Sequence, residues 1–149
     1  MVVDSDFHLR CVRVGRGGDP EDAKKRFTPE ERGLLVQTVA GETATNEFYV
    51  EMLAAQTYSA METGTMLARK EEVDLLLRLA GTTQISEAMA KAGAKSGKPF
   101  LLIIAGSRDD VARAEPDLRG IGTRLKRRGL DERELGRIET AALLNALKG

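Results

Sequence analysis

The sequence predicts an α+β fold: a single domain over residues 1–149, with a small mixed β-sheet flanked by several helices. Three observations point there. Phe100 to Ala105 is apolar at six successive positions, the pattern of a strand covered on both faces. Val73, Leu76, Leu77 and Ala80, then Ile85, Ala88, Met89 and Ala92, repeat at the i, i+3, i+4, i+7 spacing of one buried helical face. Strand-like and helix-like stretches are interspersed without the alternation of a parallel α/β fold. A chain of 149 residues also buries enough surface for a full core.

Phe7, Leu9 and Cys11 alternate with His8 and Arg10, the period of a half-buried strand, although Val12 and Val14 shift the phase. Gly15, Gly17 and Gly18 break it, and Asp19-Pro20-Glu21 opens a short helix through Lys25. Thr28-Pro29-Glu30-Glu31 is a second helix start with a capping-box glutamate. Leu34 to Val39 reads as a strand. Thr45 or Asn46 then caps a helix through about Met61 that offers Phe48, Met52 and Ala55 to the core and ends at Gly64. The two central helices end at Gly81 and Gly93, with Thr82 or Thr83 capping the second. Ser107 to Asp110 caps a short helix that Pro116 disrupts, and Gly120 to Leu130 holds a short strand or irregular segment. Asp131-Glu132-Arg133-Glu134 starts a C-terminal helix with Leu135, Ile138 and Ala142 on one side and Leu143 and Leu147 close by.

Twenty-three basic residues balance 23 acidic ones, so the molecule has no net field to attract nucleic acid or membrane. The balance conceals an asymmetry. Up to Glu62 the chain carries 7 basic and 11 acidic residues, and beyond it 16 and 12, so any basic surface belongs to the second part. The lone Cys11 forms no internal disulfide, and no cysteine–histidine cluster exists to hold zinc. A reducing cytoplasm is the expected compartment. The N-terminus lacks the basic and apolar regions of a signal peptide, and the longest apolar run is too short to span a bilayer.

Catalytic motifs are weak. Gly15-Arg16-Gly17-Gly18 lies where a phosphate-cradling loop would, but Pro20 replaces the third fingerprint glycine, so an ordinary turn is the better reading. Gly93 to Pro99 is one residue short of a phosphate loop and runs from helix into strand. His8 lacks an identifiable nucleophile and relay, and Cys11 reads as a small core residue. No cofactor or metal is expected. An enzyme using His8 and the Gly15–Gly18 turn is the runner-up reading, and a self-associating scaffold the third.

Binding features are stronger. Lys91 and Lys95 are four apart with Lys98 beyond them and Arg78 on the preceding helix; they could follow a phosphate backbone while Thr82, Thr83 and Gln84 meet base edges or sugar hydroxyls. They could equally form a solvated face. Arg124-Leu125-Lys126-Arg127-Arg128 is a denser cluster, again either a phosphate-binding surface or a solvated loop. Leu75 and Leu79 lie off the main stripe of their helix, which is therefore fully buried or offers a second apolar face to a protein partner.

The stretch LLLRLAGTTQISEAMAKAGAKSGKPFLLIIAG, Leu75 to Gly106, resembles the PRPK-binding-protein (TPRKB-like) family, the small regulatory subunit of the KEOPS tRNA-modification complex. The matching positions are Leu75, Leu76, Leu77, Ala80, Gly81, Thr82, Gln84, Ile85, Ala88 and Gly93, while Thr83 stands where an arginine is common. The resemblance covers about a quarter of the chain. It implies a non-catalytic subunit that binds and regulates the kinase-like ATPase subunit and helps hold the tRNA acceptor end during threonylcarbamoyl-adenosine formation. On that basis Leu75 and Leu79 are assigned to the protein partner. Arg78, Thr82, Thr83, Gln84, Lys91, Lys95, Arg124, Lys126, Arg127 and Arg128 are assigned to RNA; membrane and DNA are not expected partners.

Overall fold

Every residue of the apolar run becomes part of one strand buried on both faces. In the computed structural model, which describes residues 7–27 and 33–148, the chain runs β1 (His8–Val14), α1 (Pro20–Arg26), β2 (Leu35–Ala40), α2 (Glu47–Thr63), α3 (Glu71–Ala80), α4 (Ile85–Ala92), β3 (Phe100–Gly106), α5 (Arg108–Ile121), β4 (Thr123–Arg124) and α6 (Glu132–Lys148). The helix start expected at Thr28 to Glu31 lies outside the described residues. The architecture is α+β.

The sheet order is β2-β3-β1-β4, and every pairing is antiparallel where a mixed sheet was expected. β1 and β2 run parallel to each other, but β3 is inserted between them, so β1–α1–β2 is a split unit. Leu9, Cys11, Leu35, Val39, Leu101, Ile103 and Ala105 meet α2, α3, α4 and α6 on one face. Val12, Val14, Val36, Phe100, Leu102 and Ile104 meet Phe27 and α5 on the other. The phase shift in β1 is thus no defect, because both of its faces are covered. The outer edge of β2 is blunted: Gln37 accepts the Thr38 N–H and donates to the Glu72 carbonyl, and Val39 bridges to Gly93.

Local signals set the helix ends. Asp19 accepts the Asp22 N–H ahead of Pro20, Asn46 accepts the Phe48 N–H, and Asp131 and Glu134 exchange side-chain-to-backbone bonds in a reciprocal capping box. Gly81 ends α3 in the left-handed region at φ 74°. Gly93 is required for a different reason: a Cβ there would lie 2.5 Å from the Met89 carbonyl oxygen. Pro116 sits inside α5 instead of ending it. Both Pro116 and Ala112, whose carbonyl loses its partner, are on the exposed side, where water can satisfy that oxygen.

Burial corrects three expectations. α2 buries Tyr49, Val50, Leu53, Ala54 and Thr57, with Phe48, Met52 and Ala55 only half-buried. α6 buries Ala141 and Leu144 and leaves Leu135, Ala142, Leu143 and Leu147 exposed. α3 is enclosed by α2, α4, α6 and β2, so Leu75 and Leu79 belong to the core and are unavailable to a partner. Enclosure also reaches the polar side of α3. Asp74 accepts from Thr57 Oγ1 (2.5 Å), the Leu67 N–H (2.9 Å) and Arg78 Nε (2.6 Å), and Arg78 donates onward to the Ala141 carbonyl (3.2 Å). One ion pair therefore links α2, α3, α6 and the loop before α3.

Removing one member leaves an uncompensated buried charge, so Asp74→Ala is expected to lose about 3–5 kcal/mol of stability. Urea denaturation checks this; a loss near zero would show that water relieves Arg78.

Candidate nucleic-acid interface

The densest basic run is held onto the body by a carboxylate. Arg124 pairs beside β1 at Val12, the Leu125 N–H reaches the Cys11 carbonyl, and the Glu47 N–H reaches the Lys126 carbonyl. Glu47, fully buried in the first turn of α2, accepts from the Cys11 N–H (3.0 Å), Arg124 Nη2 (2.7 Å) and Arg127 Nη1 (3.2 Å). Arg127 also pairs with Glu51 and stacks over Phe48 at 5.5 Å. Arg128 pairs with Glu134, and its backbone exchanges hydrogen bonds with the Asn46 side chain. The bond to Glu47 raises the Arg124 pKa, and the bond to Glu51 raises that of Arg127. These arginines are half-exposed and matched by carboxylates, so each has a structural role in holding the segment, whatever else it contacts. Lys126 alone in this run is exposed without an ion pair among the described residues.

The Gly81 corner is likewise reassigned in part. Arg78 is 3% exposed and bound to Asp74, and Thr82 is buried with its hydroxyl accepting the Gln84 N–H. Neither is free to read a base. Thr83 is half-buried and Gln84 exposed. Lys91 is exposed on α4, 3.9 Å from Glu87, a solvent-exposed pair that holds it only weakly. Lys95 is exposed past Gly93 in the turn toward β3.

Between this corner, the turn after β2 and the first half of α6 lies a groove of two adjoining depressions, of about 470 Å³ and about 190 Å³. Glu42, Thr43, Arg133 and Arg137 line both. Lys91, Gly81 and the edge of Arg78 also line the larger one; Thr45, Tyr49, Arg128, Asp131 and Glu134 also line the smaller. Arg133 and Arg137 are exposed and make no ion pair among the described residues. Tyr49 is 2% exposed and its hydroxyl makes no hydrogen bond of good geometry. Burial raises its pKa, and the nearby Arg137 guanidinium opposes that rise. Asp131 and Glu134 are ion-paired with Arg128, and Arg78 with Asp74, which leaves Lys91, Arg133 and Arg137 as the groove's remaining cations and Glu42 as its carboxylate without an ion pair among the described residues.

Of the residues assigned to RNA from the sequence, only Lys91, Arg128 and the buried Arg78 reach this groove. Arg133 and Arg137 were missed although they are spaced i, i+4 on a helix, which places them on one face. Glu42 and Tyr49 carry no sequence signal, since only folding brings them there.

His8 and the Gly15–Gly18 turn stand at opposite ends of β1, roughly 20 Å apart along an extended strand, and cannot form one site. Cys11 is buried, and burial pushes its thiol pKa up, which disfavours the thiolate. Among the described residues no group of three or more His, Cys, Asp or Glu side chains is arranged to hold a metal, and no helix is long and apolar enough to cross a membrane. Comparison with family models and with curated proteins found no match.

Glu47→Gln removes the charge that balances two guanidiniums and is expected to cost about 3 kcal/mol. Amide exchange at Leu125 should rise in the same variant. Unchanged exchange would show that the segment is held by its backbone bonds alone.

Proposed function

We propose that this chain is a non-catalytic accessory subunit of a KEOPS-like tRNA-modification machine, a cytoplasmic protein that binds tRNA in the groove and docks on a kinase-like ATPase subunit. One observation carries the RNA reading: Lys91, Arg133 and Arg137 line a single groove next to the Gly81 corner, while most other second-half arginines are matched internally. Cations along a groove follow a single-stranded backbone, and exposed Gln84 at the corner offers hydrogen bonds to a base. The resemblance around Gly81 supplies the identity of the strand, a tRNA acceptor end.

The partner surface moves from α3 to α6. Leu143 and Leu147 are 64% and 75% exposed, and with Leu135, Ala142 and Ala146 they make the outward face of α6 apolar around Glu139. A helix apolar on both its inner and outer faces is covered on both in its working assembly. Self-association through the same face is the second reading this observation favours.

Three phosphate contacts on a single strand predict a slope of about −2 for log affinity against log salt, measured with tRNA and the purified chain. Arg133→Ala with Arg137→Ala should flatten it to about −0.7 without unfolding the protein. A flat response in the parent chain would overturn the RNA reading. On the docking side, the pure chain is expected to sediment as a monomer, and Leu143→Asp with Leu147→Asp to abolish co-purification with the kinase-like subunit. A dimer dispersed by those substitutions would instead establish the scaffold.

A further inference from the structure

A groove that only tracked phosphates would have no use for an acid at its centre. Glu42 lies in the turn after β2, at the junction of the two depressions, and makes no hydrogen bond or ion pair among the described residues although Arg133 and Arg137 line the same space. An unspent carboxylate repels a phosphate and accepts from hydroxyls, and an acidic side chain is the usual partner of a ribose hydroxyl. Tyr49 lines the smaller depression with it, and its buried hydroxyl, beside the Arg137 guanidinium, makes no hydrogen bond of good geometry. Leaving such a group unsatisfied costs stability, which a ligand hydroxyl would recover. Thr43 adds a further hydroxyl to the same wall.

We propose that the groove reads ribose: Glu42 and the Tyr49 hydroxyl take a 2′-hydroxyl of the strand whose phosphates lie along Lys91, Arg133 and Arg137. This rests on the reading of the groove as an RNA site. Arg137 is the hinge of the arrangement. It stands beside the Tyr49 hydroxyl in the free protein, and a phosphate drawing its guanidinium outward uncovers that hydroxyl for the sugar. The cations supply affinity for any single strand, and the carboxylate and phenol supply the preference for RNA over DNA, because the 2′-hydroxyl is the group that distinguishes them.

The test compares a short unstructured oligoadenylate with the oligodeoxyadenylate of equal length, each binding the full purified chain across a salt series. RNA is expected to bind about tenfold tighter, the size of one good hydrogen bond to a charged acceptor. Glu42→Gln removes a negative charge from the groove, so both strands should bind more tightly while their ratio falls toward one. That opposite movement separates hydroxyl recognition from simple electrostatics. Tyr49→Phe removes a hydroxyl that makes no hydrogen bond of good geometry in the free protein, should fold as stably as the parent, and should lower the ratio to about threefold. Equal binding of the two strands by the parent chain, with the salt slope intact, overturns this inference and leaves the RNA site standing. A ratio unchanged in Glu42→Gln overturns it as well. Binding of neither strand overturns both.

Discussion

Glu47 is the group on which the arrangement of the sheet edge depends. Its carboxylate lies where the free amides of the first turn of α2 favour negative charge, and it is completely withdrawn from water. An isolated buried carboxylate costs several kcal/mol, so it persists only with charged partners in good geometry. Arg124 and Arg127 are those partners, and the Cys11 N–H of β1 completes the set. One side chain thereby fastens the short edge strand β4, the segment leading to α6 and the start of α2 onto the central sheet. Two of the four cations in the densest basic run, Arg124 and Arg127, are thus matched by an acid 77 to 80 positions away, before any ligand is considered.

β3 imposes the second constraint. Seven consecutive buried residues require cover on both faces and a strand on each edge, which places β1 and β2 beside it and helices in two layers. Whatever binds a partner must then lie at the rim, where turns between layers meet. The groove occupies such a place: the turn after β2, the α3–α4 corner and the start of α6 converge there, and the core behind them is closed. The apolar outward face of α6 is a second rim feature. Its leucines face away from both core clusters, so the sheet has no claim on them.

What could be read from the sequence was what neighbours decide. Caps at Asp19, Asn46 and Asp131 depend on side chains within three residues, and β3 announces itself by uninterrupted apolarity. The side of a helix that faces inward is another matter. α2 and α6 are apolar over more than half their circumference, so several stripes fit, and only the position of the sheet selects Tyr49, Val50 and Leu53 over Phe48 and Met52. The same limit applies to the cations. Asp74 and Arg78 are four apart and visibly capable of pairing, yet nothing local says that the pair is sealed beneath α6. Arg133 and Arg137 have the same spacing to each other and end up in the open, for the converse reason.

The whole chain is neutral, and the groove's cations Lys91, Arg133 and Arg137, with Glu42 among them and the other lining charges paired, make a local field that fades over about one Debye length, ~10 Å at ordinary ionic strength. Such a field neither gathers a polyanion from a distance nor holds it tightly alone. In the proposed RNA reading it orients a strand already brought close, because Lys91 on α4, Arg133 and Arg137 on α6, Glu42 in the turn after β2 and Tyr49 on α2 are held by elements packed on one core. Under the proposed function, that division of labour suits a subunit whose partners supply most of the affinity and whose own contribution is the placement and chemical identity of one strand end. The proposed ribose contact would also account for an acid among the cations: where affinity comes from elsewhere, the loss to repulsion is small and the gain in discrimination is kept.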